Sequence, residues 1–244
     1  MLKYLETITC RVYNETVIIF TSDNGARLLT HGRAQAGTNG PFKCGKGSTY
    51  EGGFRVPGII SYPAAIQPGK TPALMSNLDI LPTVLGLTGL QSSLLDGVVL
   101  DGHDLTGTLV DGKPSPREEI VYIQGSATRQ FGKIHALRVG DYKAHFYTEG
   151  NILSANEDLD CVDLRREHSP PLIYNLAHDP GERWRLTELN SDNYQQILEK
   201  LDQRRVQLET DLEWAESRHG ESGEEAIPCC DKSCQPQPSC CQCQ

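Results

Sequence analysis

Two short stretches hold the residue types best suited to chemistry. In the first, Ser22-Asp23-Asn24-Gly25 follows the apolar run Val17-Ile18-Ile19-Phe20-Thr21. A carboxylate and an amide just past the carboxyl end of an apolar strand stand where open α/β sheets place ligands, although the same triplet also makes a plain turn. In the second, residues 32–53 are rich in glycine and include Lys43-Cys44-Gly45-Lys46-Gly47-Ser48-Thr49-Tyr50-Glu51-Gly52-Gly53. The phosphate-loop spacing is absent because Gly47 follows Lys46. Glycines there let the backbone approach a ligand closely and leave the Lys46 ammonium to face an anion. A surface lysine on a solvated loop is the plain alternative.

The cysteines point to a compartment. Of nine, six crowd the tail: Cys229, Cys230, Cys234, Cys240, Cys241 and Cys243. Pro, Gln, Ser, Lys and Asp separate them, so the tail cannot build an apolar core and needs covalent staples or metal. The cysteines come as Cys-Cys doublets flanking a Pro-rich loop rather than as the regular, separated C-x-x-C pairs of common zinc sites, which favours disulfides over zinc. Disulfides imply an oxidising compartment, and Asn14-Glu15-Thr16 is a glycosylation sequon consistent with one. Residues 1–6 have neither the apolar core nor the cleavage site of a signal peptide. A lysosomal or secreted chain lacking its N-terminal part is the simplest expectation.

The formal net charge of -9, with basic residues scattered or only paired, argues against a nucleic-acid surface. No stretch approaches the roughly 20 apolar residues of a membrane span.

The elements that must position these residues follow from apolar patterning. Residues 17–21 are apolar in succession, which predicts a strand buried on both faces of a parallel α/β sheet. A second strand is predicted over residues 54–62. Residues 77–90 have near-helical apolar spacing, with Pro82 early and Gly89 at the end. Residues 101–117 read as a loop. Short strands are expected at 120–123, 133–139, 142–148 and 172–174, with a tight turn through Val139-Gly140-Asp141-Tyr142. A long helix over 193–215 should pack across that antiparallel sheet. The expected division is an α/β part over 1–110, an α+β subdomain over 111–226 and a disulfide-rich tail over 227–244.

In their order and spacing, Thr21-Ser22-Asp23-Asn24-Gly25, the stretch from Cys44 to Pro57, Leu78-Asp79-Ile80-Leu81-Pro82-Thr83 and Asp179-Pro180-Gly181-Glu182 resemble the sulfatase family. Lys143-Ala144-His145-Phe146, Pro170-Pro171-Leu172-Ile173-Tyr174 and the cysteine tail resemble its arylsulfatase branch. The resemblance implies the C-terminal part of an alkaline-phosphatase-like mixed sheet followed by a small α+β subdomain. It also implies sulfate-ester hydrolysis, with Asp23 and Asn24 as Ca2+ ligands and Lys46 as the catalytic, sulfate-binding cation. Tyr50, Glu51 and Arg55 are expected to brace the loop, and His145 to be a satisfied sheet histidine. The implied disulfides are Cys44–Cys161, Cys229–Cys241, Cys230–Cys243 and Cys234–Cys240, leaving Cys10 odd.

Sulfatases use a formylglycine nucleophile made from cysteine in C-x-[PA]-x-R, and no cysteine here begins that motif. The expected activity is therefore that of a fragment, inactive alone. A sulfolipid, sulfated sugar or aryl sulfate could be the substrate, and homo-oligomers are compatible with the sequence. The alternatives are a non-catalytic secreted binding protein on a sulfatase half-fold and a phosphoesterase of the same superfamily.

Overall fold

The computed structural model describes residues 10–30, 33–34, 37–90, 97–123, 134–149, 161 and 165–212. Helix α1 (Cys10–Asn14) leads into β1 (Ile18–Phe20), the strand expected from the apolar run. β2 (Leu29–Thr30) and β3 (Arg33–Ala34) form a minimal hairpin. The glycine-rich loop ends in a single helical turn, α2 (Glu51–Phe54), so Phe54 lies outside the strand predicted to begin there. That strand is the shorter β4 (Ile59–Ser61).

β1 and β4 pair antiparallel, Ile19 opposite Ile60 and Phe20 opposite Ile59. The expectation of a parallel strand buried on both faces is not met among the described residues, where Phe20 and Ile59 are each 60% exposed. A continuous apolar run signals that a strand suits burial, but it specifies neither the direction of its partner nor what covers it.

A 3-10 turn (Asn77–Asp79) opens α3 (Ile80–Thr88), within the helix predicted from residue 77. Ser76 caps it, accepting from Leu78 N while the Asp79 carboxylate accepts from Ser76 N, a reciprocal arrangement that satisfies two free backbone donors. Gly89, at φ 65°, ends α3 in the left-handed conformation expected of a glycine cap. The stretch read as a loop contains α4 (Thr106–Asp111), too short to display a helical period. It docks on α3 through Leu105 N, which donates to Thr83 Oγ1 at 3.0 Å.

The second half is the antiparallel sheet the patterning predicts, in the order β5 (Glu119–Ile123), β6 (Ile134–Val139), β7 (Tyr142–Thr148), β8 (Arg166–Asn175). Val139 and Tyr142 pair across Gly140-Asp141, the predicted two-residue turn. α5 (Tyr194–Asp211) crosses one face, burying Tyr194, Ile197 and Leu201 with Ile134, Leu137, Ala144, Phe146 and Ile173. Six successive residues of β7, Lys143 to Thr148, are buried, so both faces of this strand are covered. The second face meets the glycine-rich loop.

Candidate functional site

The turn Asp23-Asn24-Gly25 and the Lys46 loop are joined backbone to backbone. Gly25 N donates to Gly53 O at 2.9 Å, and Lys46 N donates to Ala26 O at 3.1 Å. Only glycine permits this approach: a Cβ on Gly25 would lie 1.8 Å from Gly52 O, and one on Gly52 would lie 2.2 Å from Cys44 O. Asn39 bridges the same two segments. Its side chain accepts from Ala26 N at 2.7 Å and donates to Ala26 O and Cys44 O. On the other side Asn77 donates to Ser22 O at 2.9 Å, tying the turn to the start of α3.

At the tip, Asn24 Nδ2 donates to Asp23 Oδ1 at 2.6 Å. This leaves the Asn24 amide oxygen and the second carboxylate oxygen of exposed Asp23 as adjacent hard donors. Two such oxygens suit a share of a calcium shell, which takes six to eight. Among the described residues no three His, Cys, Asp or Glu side chains gather into a metal cluster. The pair therefore fits calcium as a partial ligand set. The Lys46 side chain is exposed on the loop, free to meet an anion from solvent.

The loop rests on a buried ionic cluster. Lys143 Nζ lies 2.9 Å from Glu51 Oε1 and 3.2 Å from Glu182 Oε1, with its ammonium over the Tyr122 ring. His145 Nε2 lies 2.6 Å from Glu182 Oε1, and its Nδ1 lies 2.9 Å from Thr49 Oγ1. Glu51 N donates to Glu182 Oε2 at 2.5 Å.

Burial opposes the Glu182 charge, but Lys143, His145 and the Glu51 N–H overcome it and hold this carboxyl down at about 2. Burial would likewise lower the Lys143 ammonium, and Tyr122, Glu182 and Glu51 reverse that, raising it above the ordinary lysine range. Burial pushes the His145 imidazole down despite the attraction of Glu182, and the Tyr122 phenol up to about 12. A second buried pair braces α3. The Arg117 guanidinium grips Asp79 through Nε and Nη2, at 2.8 and 2.5 Å. Burial opposes the Asp79 charge too, and Arg117 with the His103 and Ser76 N–H groups lowers its carboxyl below the ordinary range.

Tyr50, Glu51 and Arg55 brace the loop as expected. Tyr50 and Glu51 are buried, while Arg55 spans 3.8 Å to Glu51 and stacks over Phe42. His145 is the satisfied sheet histidine anticipated. Cys44 and Cys161 form the expected disulfide, pinning the loop to a residue 117 positions away. The tail bridges proposed for Cys229, Cys230, Cys234, Cys240, Cys241 and Cys243 fall outside the described residues, and of Cys10 only the backbone in α1 is described. Asn14 is exposed at the end of α1.

Sequence reasoning did not assign roles to Asn39, Asn77, Lys143 or Glu182. Only the last two carried a signal, the Lys143-Ala144-His145-Phe146 and Asp179-Pro180-Gly181-Glu182 stretches.

Comparison with known proteins adds a second line of evidence. A family model described as sulfatase matches residues 4–90, and one described as the C-terminal region of aryl-sulfatase matches residues 115–243. Human arylsulfatase A is 36% identical over 236 residues, covering 94% of this chain and 45% of that protein. Mouse N-acetylgalactosamine-6-sulfatase is 36% identical over 205 residues, 79% of this chain and 37% of the relative. The crystal structure of the PsFucS1 sulfatase from Pseudoalteromonas sp. superposes with a TM-score of 0.62 at 27% identity, over 85% of this chain and 40% of that one. The chain thus spans a little under half the length of the relatives it matches.

Proposed function

This chain belongs to the sulfatase family, and from that premise we propose that it contributes the cation-and-sulfate wall of a sulfuric ester hydrolase. The observation carrying this reading is the stitching of the Asp23-Asn24-Gly25 turn to the Lys46 loop, through Gly25 N to Gly53 O and Lys46 N to Ala26 O. Two hard oxygen donors and one ammonium are thereby brought onto neighbouring backbone.

In this reading the Asp23 carboxylate and the Asn24 amide oxygen take part of a Ca2+ shell. The bound ion supplies a positive field for the sulfate oxygens. The Lys46 ammonium meets the sulfate from the loop and offsets negative charge as it grows on oxygen during ester cleavage. The loop glycines keep side chains off the approach. The formylglycine nucleophile of the family has no precursor motif among the nine cysteines, so this chain holds and stabilises a sulfate ester without attacking it. The substrate class is a sulfate monoester. The disulfide between Cys44 and Cys161 supports work in an oxidising compartment, lysosomal or secreted.

The purified 244-residue chain is therefore expected to show no turnover of an aryl sulfate and only weak calcium binding. That binding should be abolished by Asp23→Ala, as read by titration calorimetry. Steady hydrolysis by the isolated chain, or calcium binding indifferent to Asp23→Ala, would overturn the assignment.

A further inference from the structure

The buried cluster under the loop takes no part in the chemistry just proposed, and its charge balance is specific. Glu51 and Glu182 bring two negative charges, Lys143 and the half-exposed Arg55 two positive ones. The balance closes with a neutral imidazole. Glu182, ionised, can only accept, so His145 Nε2 carries the proton and Nδ1 accepts from the Thr49 hydroxyl.

As a device for stability such a cluster is poor, because removing charges from water costs much of what their attraction returns. What it provides is geometry. Each buried group holds a different atom of one short stretch. His145 holds the Thr49 hydroxyl, Glu182 the Glu51 N–H, and Lys143 the Glu51 carboxylate. These holds pass upward through Gly52 N to Lys43 O, at 2.8 Å, and Gly53 N to Tyr50 O, at 2.8 Å. Gly53 O in turn receives Gly25 N, which reaches the Asp23 turn.

We propose that Lys143, His145 and Glu182 are positioning residues that set the conformation of the loop over residues 43–53, and through it the stance of Lys46 relative to the Asp23-Asn24 turn. Only the last clause rests on the sulfate reading of Lys46. The geometric claim stands apart from it. An apolar filling under the loop would keep it packed but leave its register free, whereas three directed bonds to Thr49 and Glu51 admit one arrangement.

The test uses the full chain and compares amide hydrogen exchange within one molecule. The amides of Gly25, Lys46, Gly52 and Gly53 report the loop, and those of Val121 and Leu137 report the sheet. His145→Phe keeps bulk but removes both bonds, and Thr49→Val removes one bond from the loop side with little change of shape. Both should raise loop exchange by about tenfold or more relative to the sheet, a ratio that uniform destabilisation leaves unchanged. His145→Gln, which can donate to Glu182 and accept from Thr49, should restore the ratio.

A second arm acylates lysines with a succinimidyl ester, with and without inorganic sulfate, and reads Lys46 by peptide mass. Sulfate should slow labelling of Lys46 in the parent chain and lose that effect in Thr49→Val. An unchanged loop-to-sheet ratio in both His145→Phe and Thr49→Val would overturn the positioning role. A changed ratio with no sulfate protection of Lys46 in the parent would leave the positioning role standing and remove the sulfate reading.

Discussion

Glu182 is a carboxylate kept ionised in a nearly dry place, and that fixes how the protein should respond to acid. Its carboxyl is depressed from an ordinary 4.5 to about 2, so the stability it contributes is present above 4.5 and is lost as pH falls toward 2. Asp79, lowered from 3.8, adds to the same loss. His145 is lowered from 6.5, so below that value the unfolded chain takes up a proton that the folded one refuses. Burial is the main cause, aided by the nearby Lys143 ammonium, and together they outweigh the Glu182 and Glu51 carboxylates, which favour the charged imidazole. The urea midpoint should be flat above pH ~7, decline gently toward ~5 and fall steeply below ~4.5. In His145→Gln the gentle decline should flatten while the steep one remains. An identical profile in that variant would show that His145 is not the titrating group. At this scale Asp23, Asn24, Lys46 and Glu51 were legible, because each sits in a short motif. The role of Lys143 was not, although its stretch marked the family, since a lysine reads as a solvated side chain until its partners are known.

Two turns can share backbone hydrogen bonds only where side chains are absent from both, and this contact belongs to elements rather than to single residues. Gly25→Ala would set a Cβ 1.8 Å from Gly52 O, against rigid backbone, whereas Gly58→Ala would meet nothing within 4 Å. The first should destabilise the chain by about 1–3 kcal/mol and the second by less than about 0.5. Urea unfolding of the pair measures both, and equal midpoints would mean that the turns do not touch in solution. The longer elements were legible from apolar period: β5 to β8, the Gly140 turn, and α5 with its stripe of Tyr194, Ile197 and Leu201. α4 was not, because six residues make less than two turns. Phe54 was assigned to a strand because aromatic and β-branched neighbours favour one. The hydrogen bond from Arg55 N to Glu51 O closes a helical turn there instead.

For the whole molecule, the notable surface is the outer face of the β1–β4 ribbon, where Phe20 and Ile59 pair directly and stand 60% exposed. Among the described residues β1 and β4 pair only with each other, which leaves apolar area and strand edge open to association. The chain should therefore self-associate despite its net charge of -9. Phe20→Thr with Ile59→Thr should shift it toward monomer, as followed by sedimentation velocity across a concentration series. No change in the double variant would place the association elsewhere. Three links join the segments on either side of residue 110: the Cys44–Cys161 disulfide, the Lys143–Glu51 pair and the Arg117–Asp79 pair.

By itself the sequence determined what is local: which runs make strands, which glycines make turns, which motifs mark the family, and which three side chains, Asp23, Asn24 and Lys46, are the ones proposed to meet a cation and an anion. Tertiary structure alone decided what holds them. Glu51 meets Lys143 across 92 residues and Glu182 across 131, and no local pattern selects one acid and one base from 32 and 23 candidates. Burial makes that choice, because a charge taken from water requires its partner at hydrogen-bonding distance, and only the folded chain brings the partner there.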